Sequence, residues 1–206
     1  MTSKLLMPFF AMQYRVLFHD TMAYGPHHYL TNLKFQNIAR ETVLFESSAD
    51  PLTGRSEQLE NIVMLTREAY CSNLAPVNVG EKVAILMTYS DPSRSTVRLC
   101  FRVVHQCGQP VSCGYQTMVL MHRETHELVP APPFLAQFLN ADAERNLIEP
   151  LTQPNFADLA RSGSSGVRHI FPESIRNLGK TIANAPLEAA HPRIVGEDLR
   201  EYEFRS

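Results

Sequence analysis

The sequence predicts an α+β domain in which a curled antiparallel sheet surrounds one long helix. Three observations point there. A stretch from about His28 to Phe45 holds no Gly or Pro and is apolar on most sides, a strand-like run precedes it, and four more strand-like runs follow in succession. A helix apolar nearly all round is normally enclosed by other structure. Short turns between alternating strands produce an antiparallel meander, and this order of elements is an α+β layering.

In Met12 to Phe18, Met12, Tyr14, Val16 and Phe18 alternate with Gln13, Arg15 and Leu17, the period of a first strand. His19 to His28 is a turn-rich connector with Gly25-Pro26. In the helix the apolar residues Leu30, Leu33, Phe35, Ile38, Ala39, Val43, Leu44 and Phe45 point in most directions, so Leu33, Ile38 and Val43 are expected to be nearly inaccessible. One polar stripe interrupts them: Tyr29, Asn32, Gln36 and Arg40 fall within roughly 80° of each other. Ala49 to Glu60, with Pro51 and Gly54, reads as a loop. The four strands that follow are Asn61–Cys71, Lys82–Tyr89 after the turn at Asn78-Val-Gly80, Ser95–His105 after Asp91-Pro-Ser93, and Val111–Met121 after Cys107-Gly-Gln-Pro110. At Val129-Pro-Ala-Pro-Pro133 the strand pattern stops. The division expected is a domain over residues 1–135 and an extension over 136–206. The extension carries the Ser162-Gly-Ser-Ser-Gly166 stretch and two helical candidates, Asn155–Arg161 and Pro172–Asn184.

The bulk properties narrow the partners. A chain of 206 residues, 44% hydrophobic and 19% charged, can bury one core and carry an appendage. Its net charge of −2 creates no field to attract nucleic acid or anionic lipid, so neither is expected as a partner. The four cysteines form no Cys-x-x-Cys pair; reduced, buried thiols are expected, with no metal and no cofactor. Leu5 to Met12 is a short apolar run, but Pro8 interrupts it and it leads directly into the first strand. A secretory leader is therefore disfavoured, and no segment reaches the roughly 20 apolar residues of a membrane span. A soluble, cytoplasmic protein is the expectation.

The segment Phe18-His-Asp-Thr-Met-Ala-Tyr-Gly25, with Tyr29, Leu33-Lys-Phe35 and Ala39-Arg40-Glu41, resembles the front half of the 4-hydroxybenzoyl-CoA thioesterase family, a hotdog-fold family. Gln36 and the Arg40-Glu41 pair look most like the stand-alone thioesterases of enediyne and related polyketide pathways. Tyr115-Gln-Thr-Met-Val-Leu-Met121, with Glu124-Thr125 and Pro130 to Pro133, resembles the family's last strand and exit, so the likeness spans about residues 12 to 135. It implies a hotdog fold, hydrolysis of acyl thioesters carried on acyl carrier protein or coenzyme A, and assembly as a homodimer or homotetramer with sites between subunits. One departure matters. Many members place their catalytic carboxylate where this chain has Met22, and the enediyne-type enzymes have Asn there. A thioether is neither acid nor base.

Thioester hydrolysis needs a carbonyl polariser and a means of activating water. The resemblance places the polariser in a backbone N–H at the helix start, here the Tyr29 region after Gly25-Pro-His-His28, where helix dipole and free donors coincide. Asp20, His27 and His28 flank that start; a histidine can act as base near neutral pH, or be simply solvated. Asp20 fits a catalytic role and a turn or cap role equally. Asn32, Gln36 and Arg40 can orient water or hold the acyl chain, and Arg40 can instead tie the helix to its surroundings. Met22 and Gly25 then shape the substrate pocket. Two other readings remain: a dehydratase or isomerase of carrier-bound acyl chains, suggested by His27-His28, and a non-catalytic acyl-binding protein, suggested by Met22.

Overall fold

The computed structural model describes residues 9–21, 30–46, 61–93, 95–130, 171, 173–186 and 193–195. Within them lie β1 (Phe9–Arg15), a single 3-10 turn (Phe18–Asp20), α1 (Thr31–Glu46), β2 (Ile62–Asn73), β3 (Lys82–Ser93), β4 (Thr96–His105), β5 (Pro110–His122), α2 (Glu173–Asn184) and β6 (Arg193–Val195). The strands form one antiparallel sheet in the order β2-β5-β4-β3-β1-β6. The central meander β3-β4-β5 follows the turns expected at Asn78-Val-Gly80 and Cys107-Gly-Gln-Pro110, but Asp91-Pro-Ser93, expected as a turn, is the end of β3, with Ser93 opposite Thr96. Its β4–β5 connection closes with His105 N–H donating to Gln109 O at 2.8 Å and Gly108 N–H donating to His105 O at 2.7 Å. Gly108 sits at φ +88°, a region L side chains avoid, which is why a glycine stands there.

Strand alternation sorts the side chains onto two faces. Val97, Leu99, Phe101 and Val103 of β4 join Ile85, Met118 and Leu120 in the larger core, and α1 adds Phe35 and Ala39 to it. This is the hotdog arrangement, a curled sheet around one helix. The enclosure of α1 is one-sided, however. Thr31, Asn32, Phe35, Gln36 and Ala39 are buried, whereas Leu33 and Ile38 are only half-buried and Leu30 is 50% exposed. The expectation that Leu33 and Ile38 are nearly inaccessible is therefore corrected; the side chain of Val43 lies outside the described residues. The reason is angular. With Phe35 and Ala39 seated on the sheet, Ile38 and Leu33 point roughly 90° and 130° away from the middle of the buried arc, and the polar stripe turns inward in their place.

The opposite face of the sheet is covered by the tail. Ala11, Ala84, Leu86, Val104 and Cys113 pack with Phe171, Ile175 and Ala183 in a second core. A Cβ on Gly179 would lie 2.5 Å from Val104 Cβ, so α2 approaches β4 as closely as a helix can. Gln13 Nε2 donates to the carbonyls of Ala183 (2.6 Å) and Ala185 (3.0 Å), satisfying orphan groups at the end of α2. β6 then pairs with β1, Ile194 opposite Phe10. The helix expected over Pro172–Asn184 thus appears as α2, while the candidate over Asn155–Arg161 lies outside the described residues. Among the described residues no helix is long and apolar enough to cross a membrane.

The two helix faces should separate in stability measurements. By chemical denaturation, Phe35→Ala is expected to cost roughly 3–5 kcal/mol, and Leu33→Ala less than the roughly 2 kcal/mol where enclosed leucines begin. Equal costs would mean that the buried face has been misplaced. Gly179→Ala gains up to about 1 kcal/mol in helix propensity, yet the overlap with Val104 should leave it net destabilising by about 1–2 kcal/mol.

Candidate functional site

The chain enters α1 through a knot centred on Asp20, which is 1% exposed. Its Oδ2 accepts the Tyr14 hydroxyl and the Leu17 N–H, each at 2.9 Å, and its Oδ1 receives the Lys34 ammonium. Lys34 Nζ also lies 3.3 Å from the Tyr14 hydroxyl and 2.7 Å from His19 Nε2. The Asp20 carbonyl accepts Thr31 Oγ1 at 2.8 Å, which ties the knot to the first turn of the helix. Burial raises the Asp20 carboxyl, but Lys34, the Leu17 N–H and Tyr14 outweigh it, so the group sits below its ordinary value of 3.8. Lys34, lowered by burial and raised more by Asp20 and Tyr14, ends above its ordinary value.

Along the buried side of α1 a second polar set faces β2 and β5. Asn32, Gln36 and Arg40 recur every four residues and meet the sheet on successive turns. Asn32 Nδ2 donates to Asn73 Oδ1 at 2.6 Å. Gln36 Nε2 donates to the Tyr70 carbonyl at 3.1 Å. Arg40 Nη1 donates to Gln116 Oε1 at 2.8 Å and to Thr66 Oγ1 at 3.0 Å, while its Nη2 lies 3.4 Å from Glu41. Gln116 Nε2 in turn donates to Asn37 Oδ1 at 2.9 Å and to Gln36 Oε1 at 3.4 Å. Space for this seam comes from Gly114, opposite Cys71. A Cβ there would overlap the Tyr70 carbonyl oxygen and lie 2.5 Å from Gln36 Nε2.

One atom of the seam is unspent. Asn32 is 0% exposed, and its Oδ1 accepts no hydrogen bond among the described residues. A buried acceptor without a donor loses the free energy of its hydration unless a water or ligand restores it. Nearby, the Cys71 thiol lies 3.6 Å from Asn73 Oδ1, and burial pushes its pKa up to about 11 against a smaller opposing pull from Gln36. It is a neutral thiol at neutral pH. The Asn32 oxygen therefore offers a place for a small O–H or N–H donor at the first turn of α1.

Of the residues expected at the site, the structure brings Asn32, Gln36 and Arg40 into one seam and sets Asp20 beside the helix start. Met22, Gly25, His27, His28 and Tyr29 lie outside the described residues. Sequence reasoning gave no site role to Asn73, Gln116, Gly114 or Lys34, although Lys34 and Gln116 lie in the segments that carry the family resemblance. Gly114 carried a usable signal, since a glycine inside a strand often marks close approach of another group. Among the described residues no group of three or more His, Cys, Asp or Glu side chains is placed to hold a metal.

Residues 10–139 match the thioesterase-like superfamily, and the chain belongs to it. Solved structures share the fold. A 1,4-dihydroxy-2-naphthoyl-CoA thioesterase from Synechocystis is 16% identical, with a TM-score of 0.56, over 64% of this chain and 96% of that one. The dynemicin thioesterase, whose structures describe polyene binding, is 21% identical, with a TM-score of 0.55, over 64% and 95%. A hypothetical protein from Staphylococcus aureus, solved in complex with CoA, is 12% identical, with a TM-score of 0.57, over 68% and 86%. No curated protein matches the sequence.

Two measurements test this geometry. Asp20→Asn should cost roughly 1.5–3 kcal/mol, the range for hydrogen bonds to charged groups. Because the carboxyl is lowered in the folded state, its contribution is present above 3.8 and is lost as pH falls through the lower folded value. The Asp20→Asn variant should therefore show a flatter acid limb of stability than the parent; parallel limbs would remove Asp20 from the knot. Gly114→Ala should destabilise by about 1–3 kcal/mol, and an unchanged midpoint would mean that the seam has slack.

Proposed function

We propose that this protein hydrolyses acyl thioesters carried on coenzyme A or acyl carrier protein, in polyketide or fatty-acid-like biosynthesis. Membership of the thioesterase-like superfamily supports the reaction class. The name of one structural neighbour, a naphthoyl-CoA thioesterase, supports coenzyme A as a carrier, and the resemblance of the Gln36 and Arg40-Glu41 segment to polyketide-pathway thioesterases supports the carrier protein and the pathway. The observation that carries the mechanism is the buried oxygen of Asn32 at the start of α1, unpartnered among the described residues.

In this reading the thioester carbonyl binds at the helix entrance. A backbone N–H of the Gly25 to Tyr29 segment and the α1 dipole stabilise the oxyanion that develops as water attacks. Asn32 Oδ1 accepts a hydrogen bond from the attacking water and directs its lone pair at the carbonyl carbon. His27 or His28 takes the proton and returns it to the departing thiolate. The three partners of the Asp20 carboxylate favour an anchoring role for that residue. Gln36 and Arg40 hold Asn32's face of the helix against the sheet, and Met22 and Gly25 shape the acyl pocket.

We further propose assembly as a homodimer or homotetramer. Among the described residues β2 pairs with β5 on one side and lies at the margin of the sheet, so its other side can take a second copy. A cytoplasmic setting fits four free thiols. A non-catalytic acyl-binding role is the competing reading, favoured by Met22 at the position where many relatives place their carboxylate.

Incubation with a panel of acyl-CoA and acyl-carrier thioesters separates these readings: cleavage above the buffer rate is expected, and binding without turnover would support the competitor. Asn32→Ala should lower kcat by on the order of 10² with little change in KM, the mark of an interaction made mainly in the transition state. Met22→Ala should keep most activity. The acid limb of the pH–rate profile is expected near the ordinary histidine value of about 6.5 and should flatten in His27→Ala or His28→Ala, whichever is the base.

A further inference from the structure

On the β4–β5 hairpin, away from the helix seam, three side chains stand in line. Cys107 is exposed, and its Sγ lies 2.9 Å from His105 Nδ1. On the other side of the imidazole, His105 Nε2 lies 3.4 Å from Glu81 Oε2. Among the described residues Nε2 has no hydrogen-bond partner of good geometry, so the Glu81 carboxylate faces the ring edge without a formed hydrogen bond. The Cys107 N–H donates to Nδ1 at 3.2 Å, so Nδ1 carries the lone pair and Nε2 the proton that faces Glu81. Thiol, base and carboxylate therefore occupy the positions of a nucleophile, the group that deprotonates it and the group that orients the base.

The elements around the hairpin hold this line in place. Glu81 accepts the Asn78 N–H at 2.7 Å. That bond is the largest influence holding its carboxyl below the ordinary carboxylate range, so Glu81 stays charged opposite the ring. The Gln106 side chain accepts the Lys82 N–H at 3.1 Å, and the Gln106 carbonyl accepts Asn184 Nδ2 at 2.8 Å. Gly108 lies against α2 beside Arg176 and Lys180. The charged residues beside the hairpin are Glu81, Lys82, Arg176 and Lys180; Lys82 and Arg176 meet it through backbone atoms, and Glu81 is the one whose charged group meets the imidazole. Thiol and carboxylate approach opposite ring nitrogens, so the three do not converge on one point as metal ligands would.

We propose that Cys107 is a base-activated surface thiol, a site of reversible S-thiolation by small disulfides. The Sγ proton passes to His105 Nδ1. The thiolate attacks one sulfur of the disulfide, the new S–S bond forms as the old one breaks, and the expelled thiolate takes the proton from the imidazolium. Cys107 is oxidised to the mixed disulfide and one equivalent of small thiol is released. Two of the other thiols are poor competitors: burial pushes Cys71 up to about 11 and Cys113 up to about 12. An adduct on Cys107 would sit where the hairpin meets α2, so the site can report thiol status to the tail's dock on the sheet. This inference is independent of the proposed hydrolysis.

The experiment is incubation of the full chain with glutathione disulfide, with peptide-level mass spectrometry at several pH values. An ordinary thiol, of pKa about 8.5, loses roughly tenfold in rate per pH unit below that value. Cys107 is expected to be the first cysteine modified, with a rate that changes only a few-fold between about pH 6.5 and 8.5. His105→Asn, which keeps an acceptor but no base, should restore the tenfold slope. Glu81→Gln should fall between, because it removes only the charge that stabilises the imidazolium. Thermal unfolding of each variant separates loss of activation from loss of fold. A tenfold-per-unit slope in the parent, an unchanged profile in His105→Asn, or modification of another cysteine before Cys107 would each overturn the proposal.

Discussion

The position of α1 depends on the missing side chain at Gly114. The register sets Gly114 opposite Cys71 and beneath the helix, and Gln36 occupies the notch with its amide against the Tyr70 carbonyl. With Gln36 seated, the helical period carries Asn32 to Asn73 one turn before it and Arg40 to Gln116 one turn after it. Apolar contacts from Phe35 and Ala39 supply the non-directional attraction of the same face. The amide and guanidinium bonds supply direction, because each has one geometry that satisfies it. A helix held by apolar contacts alone could rotate or slide at small cost. This one cannot do so without leaving buried donors unpaired.

The sheet has a second apolar face, and it too must be removed from water. β-Strand alternation makes Ala84, Leu86 and Val104 point away from α1 as necessarily as Ile85 and Val103 point toward it. α2 covers that face from the same chain, and β6 extends the sheet beyond β1. The fit is tight where Gly179 meets Val104 and polar where Gln13 meets the end of α2. The tail therefore contributes to the fold as well as following it, although the superfamily match ends at residue 139.

Much of this was legible in the sequence, and the misses have physical causes. The strands announced themselves by alternation, and their turns by Gly80 and Gly108, both at positive φ. The helix announced its length but not its orientation. Periodicity shows which residues share a face, whereas which face turns inward depends on the surface that receives it. Leu33 and Ile38 looked like core because they are apolar, yet Gln36 is the residue with a notch cut for it. Asp20 was ambiguous between catalysis and anchoring because its partner, Lys34, lies fourteen residues on and a full turn inside the helix. β6 is three residues long, too short for any alternation to show.

The register also explains why the polar chemistry gathers at one end of the sheet. β1 ends at Arg15 opposite Lys82, β4 ends at His105 opposite Val83, and β2 ends at Asn73 opposite Ser112. At that margin the ladder runs out, and backbone groups that would pair in the sheet interior need other partners. Turns, caps and side-chain bonds supply them: Leu17 N–H to Asp20, Asn78 N–H to Glu81, Cys107 N–H to His105. Each of these bonds fixes a titratable side chain in a defined orientation, and that is the requirement for a group that must act on a proton. Within the sheet the backbone groups are paired in the ladder, and the polar side chains there, Gln116 among them, are spent on holding α1. Asn32 belongs to this margin through Asn73, and it is there that a buried oxygen is left, among the described residues, with its hydrogen-bonding capacity unspent.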